Sequence, residues 1–130
     1  MPRIVVCEDD PVILKLLQVS LRDTGYELLV AQDGVAGLEL IERERPDAVL
    51  TDVTMPRMGG LELADQIRAR PELAHIPIVF LSASAQRAHR EEGYRHGATA
   101  YVTKPFRTAQ LREALAWVLA GGFEDDDLPE

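Results

Sequence analysis

A chain of 130 residues, 46% hydrophobic and 28% charged, has the material for one folded domain with a sizeable core and too little for two. The formal charge is −8, and setting aside the five acids of the ending, Glu124, Asp125, Asp126, Asp127 and Glu130, leaves −3 on the rest. That balance argues against a basic nucleic-acid-binding face, and the longest apolar runs fall far short of the ~20 residues of a membrane span. With no charged-then-apolar leader, the expectation is a soluble cytoplasmic protein.

Short apolar runs alternate with longer segments of helical period, the pattern of a parallel sheet wrapped by helices. The first run, Arg3 to Cys7, reads as a strand. Asp10-Pro11 then sets a capping carboxylate before a proline at the first helical position, with Ile13, Leu16, Leu17 and Leu21 on one face and Gly25 as the stop. Leu28 to Ala31 is the second strand. Asp33-Gly34 opens the second helix, which turns Leu38 and Ile41 inward and stops at Pro46. Ala48 to Thr51 is the third strand; Gly60 opens a helix with Leu61, Ala64 and Ile67 inward, ahead of Pro71. Ile78 to Leu81 precedes the most polar helix, Gln86 to His96, which ends at Gly97. Ala100 to Val102 precedes the last helix, Thr108 to Ala120, with Leu111, Leu115, Val118 and Leu119 at core spacing. Residues 1–120 thus form the domain, and 121–130 an acidic tail or the start of a linker.

Five strand–helix units joined by right-handed crossovers predict a doubly wound, flavodoxin-like α/β fold with strand order 2-1-3-4-5. Ligands in such a sheet bind at the carboxyl ends of strands one and three. Glu8-Asp9-Asp10 end strand one, Asp52 ends strand three, Ser82 strand four, and Lys104 strand five. Taken singly, each has a plain structural reading: a strand-end cap, a solvated helix start, a surface lysine, and for Tyr101 half-buried packing. Together they put acids, a hydroxyl and an ammonium at one edge. Carboxylates crowded at one point repel unless a hard cation lies between them, which predicts Mg²⁺. Asp52 and Asp9 are its expected direct ligands, Glu8 acts through water, and Asp10 is the helix cap. Asp52 could then attack phosphorus in line, with Lys104 pairing a phosphoryl oxygen and Ser82 donating its hydroxyl to another. Lys104 is one of two lysines in the chain. Cys7, the single cysteine, reads as a buried inert thiol, and His75, His89 and His96 as surface residues without zinc-site spacing.

The runs Ile4 to Asp10, Asp52-Val53-Thr54-Met55-Pro56-Arg57-Met58-Gly59-Gly60, Leu81-Ser82-Ala83-Ser84 and Lys104-Pro105-Phe106 resemble the receiver (CheY-like) family of two-component response regulators over about residues 3 to 120. The resemblance implies that Asp52 is the phosphoacceptor and Glu8 and Asp9 the acid pair, with the Thr54 carbonyl a further Mg²⁺ ligand. It also implies a cis peptide before Pro105. Ser82 and Tyr101 would be a switch pair, Tyr101 swinging inward on phosphorylation and changing the face made by helix four, strand five and helix five. A histidine kinase or histidine phosphotransfer protein would be the donor. A downstream protein or an output domain would read that face, which could also pair two copies as a homodimer. Arg107-Thr108 stands where an acidic cap is common, so the last helix is expected to begin at Thr108. The ending suits a stand-alone receiver, the first expectation, or the receiver portion of a longer regulator.

Two other chemistries fit less well. A phosphatase with Asp52 as nucleophile wants a second acid two residues on, where Thr54 stands. A flavin mononucleotide binder wants a phosphate loop after strand one, where acids stand instead.

Overall fold

The structure, a computed structural model, describes residues 1–122. Ten elements alternate along the chain: β1 Arg3–Cys7, α1 Pro11–Ser20, β2 Glu27–Ala31, α2 Gly34–Glu44, β3 Ala48–Asp52, α3 Gly60–Ala69, β4 Ile78–Ser82, α4 Arg87–Arg95, β5 Ala100–Thr103 and α5 Thr108–Leu119. The five strands form one sheet in the order β2-β1-β3-β4-β5, with every pairing parallel. This is the flavodoxin-like arrangement that the alternation predicts.

Burial on both faces explains the continuous apolar strands, since side chains alternate between two helix layers. Val5, Val49, Ile78, Phe80 and Tyr101 join the core beneath α2 and α3 with Ile41, Leu63, Ala64 and Ile67. Ile4, Val6, Leu50, Val79, Leu81 and Val102 pack with Leu17, Leu111, Leu115 and Val118 of α1 and α5. Cys7 is fully buried, and that burial pushes its thiol up to about 12, so it stays protonated and inert.

Helix starts follow the local chemistry. Asp10 accepts the N–H groups of Val12 and Ile13, and Asp33 accepts that of Ala36. Arg107 makes no side-chain cap bond and α5 begins at Thr108. Helix α1 stops at Ser20, short of Gly25, because residues 21–24 turn away with Asp23 left-handed at φ 66°. Leu16 corrects the reading of α1: it is 50% exposed while Leu17 is buried, since the sheet takes a narrower stripe than the spacing offered. In α3, Leu63 is buried and Leu61 only half-buried.

At the amino edge of the sheet, Met1, Pro2, Gly121 and Gly122 line a common hollow of about 550 Å³ with Asp47 and Pro77. The acidic residues from Glu124 to Glu130 lie outside the described residues.

Candidate functional site at the carboxyl edge

Register brings the distant residues level. Cys7 pairs with Thr51, so Glu8 and Asp52 stand side by side, and Asp52 pairs with Leu81, which carries Ser82 one step beyond. Ser82 pairs with Thr103, and the Lys104 N–H donates to the Ser82 carbonyl at 2.7 Å. The loop after Asp52 is closed by the Gly60 N–H, which donates to the Val53 carbonyl at 2.8 Å. A Cβ at Gly60 would lie 2.3 Å from the Asp52 carbonyl oxygen, so only glycine lets α3 start this close to the β3 tip. Arg57, left-handed at φ 67°, ion-pairs with Asp33 at 2.8 Å and fixes the loop's outer end.

Carboxylate oxygens of Glu8, Asp9 and Asp52 all lie within 4.8 Å of one another. Lys104 Nζ donates to Asp52 Oδ2 at 3.0 Å and to Glu8 Oε1 at 3.2 Å. The Lys104–Pro105 peptide is cis. Burial raises the Glu8 carboxyl above its ordinary range and the Asp52 charge adds to that; the Asp10 N–H and the Lys104 ammonium only partly offset them. Burial also pulls the Lys104 ammonium down, but its bonds and charge contacts with Asp52 and then Glu8 outweigh this, so its pKa ends above the ordinary value. The two shifts agree once burial is compared: the Glu8 side chain is fully buried and shares the one cation it pairs with among the described residues, whereas Lys104 keeps two anions.

One ammonium for three carboxylates leaves the cluster short of positive charge. An all-oxygen donor set this tight suits a hard divalent cation, so the residues fit Mg²⁺. Asp10 is used as the α1 cap, as its position suggested.

Next to the acids, Asp52, Thr54, Ser82, Ser84, Tyr101 and Lys104 line a hollow of about 390 Å³. Ser82 is buried and its Oγ accepts the Ser84 N–H at 3.1 Å. Tyr101 already lies inward, 4% exposed, with its hydroxyl donating to the Ser84 carbonyl at 3.0 Å. The inward position that the resemblance links to phosphorylation is therefore the one this structure has. Every candidate from the sequence reaches this edge. Reading the sequence missed His89, which lines the same hollow with Nδ1 2.6 Å from Ser84 Oγ. A signal was present: a helix that begins five residues after the β4 tip must set its first turn beside that tip.

Fold and site together define a doubly wound α/β protein with a cation-ready acid cluster, an ammonium and a hydroxyl at its switch point. The chain belongs to the response regulator receiver domain family, which it matches over residues 4–116, and so is a receiver domain of the two-component type. It is 34% identical over 130 residues to the DNA-binding dual master transcriptional regulator RpaA of Synechocystis, covering 100% of this chain and 53% of that protein. It is 42% identical over 109 residues to response regulator MprA of a Mycobacterium species, covering 84% of this chain and 46% of that one. The chain thus spans about half the length of these curated relatives. Among solved structures, chemotaxis response regulator CheY4 of Vibrio cholerae superposes with TM-score 0.84 at 30% identity, over 89% of this chain and 97% of that one. The receiver domain of a Pseudomonas aeruginosa sensor histidine kinase, solved with a magnesium ion in its active-site cleft, gives 0.85 at 32%, over 92% and 98%.

Proposed function

We propose that this receiver takes a phosphoryl group onto Asp52 from a phosphohistidine on a kinase or phosphotransfer protein and passes the change to the face made by α4, β5 and α5. The observation that carries the reading is the single ammonium of Lys104 bridging Asp52 and Glu8 beside an acid cluster that fits a divalent cation. Asp52 supplies the nucleophile: its carboxylate oxygen bonds to phosphorus as the bond from phosphorus to the donor imidazole nitrogen breaks. The imidazole leaves with that electron pair and takes up a proton. Lys104 transfers its donors from the free carboxylate to a phosphoryl oxygen, keeping the charge of the acyl phosphate compensated. Ser82, whose Oγ accepts the Ser84 amide, still has its hydroxyl proton to give.

Glu8, Asp9 and Asp52, with the Thr54 carbonyl as a further ligand, would hold Mg²⁺, whose charge offsets that of the transferring group. Ser82 and Tyr101 form the switch pair. The reader of the α4-β5-α5 face is a protein surface: a separate target, an output domain joined to this one, or a second copy. No direct nucleic-acid or membrane contact by this domain is included, and no described helix is long and apolar enough to cross a membrane. The domain runs over residues 1–120, with 121–130 as tail or linker, and its chemistry is that of a switch rather than a turnover enzyme.

Incubation with acetyl phosphate and Mg²⁺ followed by intact-mass measurement tests this. The expected result is one added phosphoryl group, abolished by Asp52→Asn and by EDTA. An unchanged wild-type mass, or labelling that persists in the variant, overturns it.

A further inference from the structure

A polar clasp joins the β4 tip to α4. Ser84 engages every polar group it has. Its N–H donates to Ser82 Oγ, its carbonyl accepts the Tyr101 hydroxyl, and its Oγ accepts the Gln86 N–H at 3.2 Å while lying 2.6 Å from His89 Nδ1. Gln86, the residue before α4, makes no side-chain cap bond, so Ser84 serves the helix start in its place. The following residues of α4 form a berth for the phenol ring. The Arg90 guanidinium stands 5.6 Å from the Tyr101 ring centroid, and a Cβ at Gly93 would lie 3.2 Å from the ring.

We propose that His89 is a positioning residue: by holding Ser84 Oγ it fixes the Ser84 carbonyl where the Tyr101 phenol can use it, and so presets Tyr101 inward before any phosphoryl group arrives. A phenol on a ring this buried needs an acceptor, and the Ser84 carbonyl is that acceptor. Ser84 sits between exposed Ala83 and Ala85, so packing does not fix the direction of its carbonyl; its side-chain and amide bonds do. Without His89, Ser84 Oγ keeps only the Gln86 N–H and loses its hold on the first turn of α4, and an outward phenol satisfies itself in water. The consequence for phosphoryl binding rests on the reading of Asp52 given above. A ligand that favours the inward arrangement binds with an apparent affinity proportional to the fraction already inward.

Two readouts test the clasp: the nuclear Overhauser contact between the Gly93 α-protons and the Tyr101 ring in unphosphorylated protein, and the affinity for beryllofluoride with Mg²⁺, a mimic of a carboxyl-bound phosphoryl group. In His89→Ala the ring contact is expected to fade and beryllofluoride to bind about fivefold more weakly, the factor for one lost hydrogen bond. His89→Asn, which offers an amide at the Nδ1 position, is expected to restore both. Combining His89→Ala with Ser84→Ala should do no more than Ser84→Ala alone, which also removes the Gln86 N–H bond. Wild-type contact and affinity in His89→Ala, no rescue by asparagine, or effects that simply add would each overturn the proposal. If beryllofluoride fails to bind the wild type, the reading of Asp52 falls, while the ring contact still decides the clasp.

Discussion

Helices α3 and α4 lie on the same face of the sheet and are held there by different forces. α3 buries Gly60, Leu63, Ala64 and Ile67, so its place is set by apolar area and by the tight approach of Gly60 to the β3 tip. α4 buries Gly93 alone. Half-buried Tyr94 adds a little apolar packing, and directional bonds hold the two ends: Ser84 with His89 at the start, and His96 Nδ1 2.8 Å from Asp65 of α3 at the end. Apolar packing is all-or-none, whereas single polar bonds can be exchanged at little net cost. The side of the molecule that must hold carboxylates still is therefore the packed one, and the side proposed to report on them is the one that can shift.

Four measurements would break or sharpen this contrast. The largest effect is expected from Lys104→Ala, because Lys104 is the bond from β5 to the acids of β1 and β3. The variant should still accept some phosphate yet lose the phosphorylation-dependent change in α4 amide chemical shifts; a normal change would refute the role. Next, Leu63→Ala in α3 should cost about 2–5 kcal/mol in denaturant unfolding, through lost burial and a cavity. A cost below about 1 kcal/mol would mean that α3 is no better packed than α4.

Glu8 comes third. A carboxyl held above its ordinary value of 4.5 in the folded chain binds more protons folded than unfolded, so its contribution to stability falls as pH rises from 4.5 through the raised value. In metal-free protein Glu8→Gln should flatten that fall and raise the neutral-pH Tm, while weakening Mg²⁺ binding. An unchanged pH–stability curve would remove the charge shortage inferred for the cluster. The smallest effect is expected from Arg95→Ala on exposed α4, within about 0.5 kcal/mol of wild type. A loss as large as that of Leu63→Ala would erase the distinction between the helices.

The packed side was the more legible in the sequence. Strand β1 reads with the bounds it has, and β2 to β5 each differ by one residue at an end, because strands covered on both faces are apolar over most of their length, and even half-exposed β2 keeps the run Leu28 to Ala31. The acids, Ser82 and Lys104 were legible because parallel topology sends every strand end to one edge. Leu16 misled because helical spacing marks a stripe without marking its width. His89 was overlooked for a different reason: its place just after the β4 tip was its one signal. His89 is exposed, as the sequence suggested, and nothing in composition or period marks a surface histidine that also touches a serine five residues away across a loop.

Met1 and Gly122 share the hollow at the amino edge, and every connection on that side runs from a helix into a strand. A circular permutant is therefore open to construction: a short bridge from residue 122 to residue 2, and a fresh opening at Gly25, where even an added Cβ would touch nothing. All loops that carry acids, hydroxyl and ammonium stay uncut in that rearranged chain, so synthesis could begin at β2 and still finish with the same chemistry assembled.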